Sequence, residues 1–145
     1  MITLTVPGSI EYRDIAVRVV GGACKLVDAD NADQLANEVV SAFSEAFNNV
    51  VLHGYAGVPR GDIEVTLSHA LVAPDTVELR LSMKDTGRTF DPGQHLELPD
   101  EMPERGMGLF IMRSFTDELL YEPGPPNVLT LVKRAKPGKK KSAPP

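Results

Sequence analysis

Glu45, Asn49 and His53 stand at four-residue steps and give this chain its first chemical signal. In a helix they share one face. The apolar residues Leu35, Val39, Phe43, Phe47 and Val50 recur at three- and four-residue steps and share another face, roughly opposite. A helix buried on one side ordinarily turns Lys, Glu and Gln to water. This one turns a carboxylate, an amide and an imidazole outward in a row, then reaches Gly54. A carboxylate and an amide oxygen one turn apart can face one bound ion or one attacking group. Magnesium prefers oxygen ligands and keeps several waters, so a single protein oxygen beside phosphate oxygens is a normal supply. The carboxylate is placed to accept a proton from a hydroxyl attacking phosphorus.

Two further clusters carry chemistry. Lys84-Asp85-Thr86-Gly87 closes an alternating apolar run. Asp is poorly suited to a strand interior, but at a strand end it can accept a hydrogen bond from an adenine amino group. Gly87 lets the backbone approach the base. Arg105-Gly106-Met107-Gly108-Leu109 then places two glycines before the helical run Leu109 to Phe115. That arrangement predicts free backbone N–H groups at a helix N-terminus, which suit phosphate. It is neither the Rossmann nor the P-loop pattern, since no strand directly precedes it and no Gly-Lys-Ser/Thr follows. A Gly-x-Ser-x-Gly elbow and a His-Glu-x-x-His pair are absent from the sequence, and His69 and His95 read as surface residues.

The elements that must position these residues follow from periodicity and breakers. Ile2 to Val6 alternates as a strand and ends at Pro7-Gly8. Ser9 is a cap candidate for a helix from about Ile10 to Cys24, with Ile15, Val19 and Ala23 as its apolar stripe. The turn cluster Asp28 to Asn31 leads into the long helix, about Ala32 to His53, which Gly54 and Gly57 end. Ile63 to Leu67 and Val77 to Met83 alternate around Ala73-Pro74-Asp75, so they form a hairpin with one apolar face. The Pro-rich, acidic stretch from Phe90 to Arg105 lacks any period and reads as a loop or lid. Glu118 to Tyr121 and Val128 to Val132 form a last hairpin. This order predicts an α+β fold, a two-layer α/β sandwich with a mixed, mainly antiparallel sheet and helices on one face.

Composition narrows the setting. A chain of 145 residues suits one domain with a substantial core. The expected division is a domain over 1–134 and a Lys/Pro-rich, disordered tail over 135–145. A net charge of −5 argues against nucleic acid as the main partner. No apolar run approaches the length of a membrane span, and the start is not a signal peptide. The single cysteine, Cys24, fits a reducing compartment and reads as a small buried hydrophobe.

Taken singly each cluster is an ordinary surface feature, but their order is specific. Glu-x-x-x-Asn on a long helix, Asp-x-Gly at a strand end, a variable loop and Gly-x-Gly on a helix resemble the GHKL superfamily of ATPases, which shares the Bergerat ATP-binding fold. Ser44-Glu45-Ala46 through Asn49 to His53-Gly54-Tyr55 is similar to the helix box of the anti-sigma factor serine/threonine kinases. Asp85-Thr86-Gly87-Arg88-Thr89-Phe90-Asp91-Pro92 is similar to their Asp-x-Gly-x-x-Phe-Asp segment. Gly106-Met107-Gly108-Leu109-Phe110-Ile111-Met112, followed by Asp117-Glu118, resembles their second glycine box. Asn127 to Lys133 resembles their closing strand.

The resemblance implies an ATP- and magnesium-dependent, cytoplasmic serine/threonine-protein kinase acting as an anti-sigma, partner-switching regulator. Its phosphoacceptor would be an anti-anti-sigma protein of the STAS type, with a sigma factor as a second partner and a homodimer as the assembly. No nucleic acid or membrane is expected. Glu45 would be the catalytic base and Asn49 would ligate magnesium. Asp85 would bind the adenine amino group, with Gly87 beside it and Thr130 completing the base contact. Gly106 and Gly108 would shape the phosphate loop that includes Met107 and Leu109, with Arg105 touching phosphate. Two alternatives stay open: a non-catalytic nucleotide- or partner-binding module, which has no need of a base at Glu45, and an ATP hydrolase, in which Glu45 would activate water.

Overall fold

A computed structural model describes residues 1–89 and 104–138, with backbone alone for 104–107. Among the described residues, five strands and three α-helices form two layers. The order is β1 (Ile2–Pro7), α1 (Arg13–Cys24), α2 (Ala32–Asn49), β2 (Asp62–Ala73), β3 (Thr76–Asp85), α3 (Glu104–Ser114), β4 (Glu118–Glu122) and β5 (Asn127–Ala135). The sheet runs β1-β2-β3-β5-β4. Its described pairings are all antiparallel, in keeping with the mainly antiparallel sheet expected. Short hairpin connections between β2 and β3 and between β4 and β5 account for two of these pairings.

Alternation sets the layers. Ile63, Val65 and Leu67 of β2, Leu79, Leu81 and Met83 of β3, and Leu129 and Leu131 of β5 are buried on one face. Pairing places Leu67 opposite Leu81 and Met83 opposite Leu129, so the apolar positions stay in step across three strands. The other face carries Glu64, Thr66, Glu78, Arg80, Ser82 and Lys84. The helical layer centres on α2, which packs against α1, α3 and β5. Leu35, Val39, Phe43, Phe47 and Val50, the expected stripe, are all buried. The Phe43 and Phe47 rings meet at 6.0 Å, tilted. Asn31 caps α2, its side-chain oxygen accepting the Gln34 N–H at 3.0 Å.

The structure corrects four local expectations. The segment after β1 opens as a 3-10 turn, Ile10–Tyr12, before α1, and the Ser9 side chain makes no capping bond. The core-facing residues of α1 are Ala16, Val20, Ala23 and Cys24, while Ile15 and Val19 are 54% and 37% exposed. The helix has a small-residue stripe and a bulkier one, and the small one lets α1 approach α2 closely. A β-carbon on Gly21 would lie 3.3 Å from Val40 of α2. Next, α2 ends at Asn49 and the chain opens into a π-helical turn, Val50–Gly54. Last, α3 begins at Glu104, so the glycine box lies inside its first turns and not ahead of it.

The expected boundary after Arg134 falls inside β5. Beyond the strand, Asp30 N–H reaches the Lys136 carbonyl at 3.0 Å, and Gly138 N–H reaches the Asp28 carbonyl at 3.1 Å. Residues 139–145, and residues 90–103 with their acidic side chains and His95, where the sequence predicts a loop or lid, lie outside the described residues. Among the described residues no helix is long and apolar enough to cross a membrane.

Candidate functional site

The site is built around the C-terminal half of α2. Glu45 and Asn49 are half-buried there because α3 lies across their face. The contact is at Gly108 of α3. A β-carbon on Gly108 would stand 3.1 Å from Glu45 Oε2 and 3.5 Å from both Asn49 Nδ2 and Oδ1. Any larger residue would fill the space in front of the carboxylate and the amide. The glycine therefore keeps a cradle open beside two side chains that form no hydrogen bond among the described residues. His53 does not join them. His53 lies in the π-turn and is exposed, whereas Glu45 and Asn49 are half-buried.

The π-turn serves the second cluster. Tyr55 N–H bonds back to the Val50 carbonyl at 2.9 Å and closes the turn. This leaves the Gly54 carbonyl to accept the Arg88 N–H at 2.6 Å. The Tyr55 hydroxyl accepts the Thr86 N–H at 3.2 Å and donates to the Asp62 carbonyl at 3.3 Å. The Asp85–Arg88 loop is thus seated on the end of α2. Gly87 is the seat: a β-carbon there would lie 2.7 Å from the backbone C and O of Gly54. Its missing side chain admits the neighbouring helix end, a role separate from the close backbone approach to a base expected from the sequence.

Asp85 is 7% exposed at the end of β3, on the face of the sheet that carries the helices. Its Oδ1 accepts the Gly87 N–H at 2.8 Å and the Asn127 Nδ2–H at 3.1 Å. Oδ2 receives no hydrogen bond among the described residues. Burial pushes the carboxyl pKa up, and the bonds from Asn127 and Gly87 oppose that shift. Gly54 lies beside this carboxylate, a β-carbon there being 4.0 Å from Asp85 Oδ1.

The structure therefore brings Glu45, Asn49 and Gly108 together, and joins Asp85 and Gly87 to the end of the same helix. Leu109 is buried one residue along α3 and belongs to the core. Gly106 lies in the first turn of α3, where backbone N–H groups lack intrahelical acceptors. The side chains of Arg105 and Met107 lie outside the described residues. Thr130 is not at the site. It pairs with Ser82 across β3 and β5, their hydroxyls 3.2 Å apart on the polar face. The residue opposite Asp85 is Asn127, which in the sequence marks only the start of the closing strand. Strand parity was the available signal, but Val128 to Val132 is apolar on both faces apart from Thr130 and does not reveal which face turns inward.

Among the described residues no three His, Cys, Asp or Glu side chains gather as a cation cage. The donor set instead fits magnesium held by one amide oxygen, with phosphate and water completing the shell.

The histidine kinase-like ATPase domain family matches residues 11–133. An anti-sigma F factor from Halalkalibacterium halodurans is 31% identical over 87 residues, which are 57% of this chain and 56% of that protein. The match thus spans little more than half of that relative. The serine-protein kinase RsbW of Listeria monocytogenes serotype 4a is 29% identical over 140 residues, covering 89% of this chain and 85% of that one. In fold, the chain is similar to the crystal structure of the RsbU and RsbW domains of Rv1364c from Mycobacterium tuberculosis. The TM-score is 0.60 at 19% identity, over 96% of this chain and 34% of that one. With the family match running over most of its length, the chain belongs to the histidine kinase-like ATPase domain family.

Proposed function

We propose that this chain is an ATP- and magnesium-dependent serine/threonine-protein kinase that acts in the cytoplasm as an anti-sigma, partner-switching regulator. Its acceptor is a serine or threonine of an anti-anti-sigma protein of the STAS type, and its second partner is a sigma factor. A homodimer is the proposed assembly. The observation that carries the reading is the convergence of Glu45 Oε2 and the Asn49 amide on the open space at Gly108. The relatives' names, a serine-protein kinase and an anti-sigma factor, support it.

Phosphoryl transfer depends mainly on positioning and charge neutralisation. Asp85 Oδ2 accepts a hydrogen bond from the adenine amino group and so fixes the base. The Asn49 amide oxygen would hold magnesium, which would supply charge neutralisation at the phosphates. Backbone N–H groups around Gly106, in the first turn of α3, take phosphate oxygens. Glu45 accepts the proton of the attacking hydroxyl as that oxygen bonds to the γ-phosphorus and the bond to the bridging β–γ oxygen breaks, releasing ADP.

The test is transfer from γ-labelled ATP to a partner captured from the native host. Glu45→Ala is expected to keep ATP binding and lose transfer. Full transfer in that variant overturns the base assignment. Free phosphate release without a labelled protein turns the reading to an ATP hydrolase.

A further inference from the structure

We propose that Asn127 is the positioning residue of base recognition: it fixes one oxygen of Asp85 and thereby leaves the other to read the base. The inference rests on the assignment of Asp85 to adenine.

Asn127 is 1% exposed and opens β5 directly opposite Asp85. Its amide hydrogen-bonding capacity is fully used. Nδ2 donates to Asp85 Oδ1 at 3.1 Å and to the Gly87 carbonyl at 2.9 Å. Oδ1 accepts the Gly124 N–H at 2.9 Å and the Thr89 hydroxyl at 2.8 Å. Two N–H donors and two lone pairs exhaust a primary amide. The partners also fix its orientation. Flipping the amide would turn its NH2 toward the Gly124 N–H and its oxygen toward two acceptors, Asp85 and the Gly87 carbonyl.

The consequence falls on Asp85. Its Oδ1 holds two donors, one from its own loop and one from β5, so the carboxylate plane is set from two elements. Oδ2 is left as a pure acceptor. An acceptor selects a purine bearing an amino group at position 6, and a 6-oxo purine would oppose it with another acceptor. Without Asn127, Asp85 keeps only the Gly87 N–H, and the Gly87 carbonyl loses its tie to β5. The ionisable or charged groups on the packed elements are Glu45, His53 and Tyr55 on α2 and its terminal turn, Arg88 in the loop itself, and Glu122 at the end of β4. Among the described residues, none of these five is hydrogen-bonded or ion-paired to the Asp85 carboxylate, whose donors are Gly87 and Asn127. The pH response of the base site thus belongs to Asp85 with its two donors.

The experiment measures affinity for fluorescent ATP and ITP analogues against pH. Asn127→Ala is expected to bind the ATP analogue at least tenfold more weakly at neutral pH and to lose most of the preference over ITP. Its affinity should also fall off at a higher pH than in the unaltered chain, because the donor favouring the carboxylate is gone. Asn127→Thr retains a hydroxyl donor and should move the fall-off back toward the original pH. Equal losses for both nucleotides with an unmoved pH profile would reduce Asn127 to a structural residue and overturn the proposal. For the case in which these variants do not fold, the side-chain amide resonances of Asn127 in the unaltered chain provide the test. They should shift with the same pH midpoint as the affinity, and resonances that stay still overturn the proposal. Unchanged affinity in Asp85→Asn would instead defeat the base assignment itself, a result distinct from Asn127→Ala binding normally.

Discussion

Asp85 is held where its ionised form is disfavoured, although that form is the one suited to an amino group. Burial raises its pKa, and two hydrogen bonds only oppose the shift. A carboxyl whose folded pKa lies above its unfolded value adds stability below the unfolded pKa, and that contribution is lost as pH rises through the folded value. At neutral pH the ionised group is therefore a cost to the fold. Asp85→Asn removes the charge, and its side-chain oxygen can still accept from Gly87 and Asn127. We expect its melting temperature at neutral pH to equal or exceed that of the unaltered chain, with the advantage shrinking on acidification. ATP affinity should fall by about ten- to a hundredfold, because an amide NH2 then faces the adenine amino group and a hydrogen bond to a charged group is worth about 1.5–3 kcal/mol. Calorimetry and thermal melts at two pH values check both arms. A stability loss at neutral pH would contradict the sign. Asp85 was legible from its place before Thr86-Gly87 at a strand end. Asn127 was not, since its relation to Asp85 is a cross-strand register that no local spacing encodes.

The elements meet through glycines, and the two decisive ones differ in what they exclude. At Gly87 the obstacle is backbone, the Gly54 carbonyl group at 2.7 Å. Gly87→Ala must push the loop off the end of α2, and we expect about 1–3 kcal/mol of lost stability together with lost nucleotide binding. Gly54→Ala meets nothing closer than 3.7 Å and should melt close to the unaltered chain, which makes it the control. At Gly108 the obstacle is the movable end of Glu45. Alanine favours a helix interior over glycine by about 1 kcal/mol, so Gly108→Ala should melt at the same temperature or higher. Its phosphoryl transfer should nevertheless fall, by up to about a hundredfold, because Glu45 is displaced. A variant that loses stability and transfer together would mean that Gly108 serves packing alone. Periodicity made α2 and the β2–β3 hairpin readable, because each has a single apolar face. It misassigned α1, which has apolar residues on both faces, and only packing against α2 decides between them. It also placed the start of α3 too late, because glycines inside a helix resemble the loop before one.

The whole molecule can be followed through its one thiol. Cys24 ends α1 with 0% exposure, and burial pushes its pKa up to about 11. Both conditions keep it from reacting in the folded state, since the thiolate is the nucleophile and must be reached. A chromogenic disulfide reagent should therefore label Cys24 only through opening of the structure, at a rate set by the open population when closing is fast. Cys24 lies in the core cluster shared by the sheet, α1 and α2, far along the chain from the site residues of β3 and α3. If that core opens as one unit, freeing Cys24 also dismantles the cradle at Glu45 and Asn49. A ligand bound only to the folded state at about a hundred times its dissociation constant adds about 2.7 kcal/mol. Magnesium-ATP at that level should slow labelling about a hundredfold, and in Asp85→Asn the same nucleotide concentration should protect far less. Labelling that ignores nucleotide in the unaltered chain, despite saturated binding, would show that α1 opens while the nucleotide site stays closed. The helical layer would then consist of two units, with α2 and α3 forming the one that holds the site.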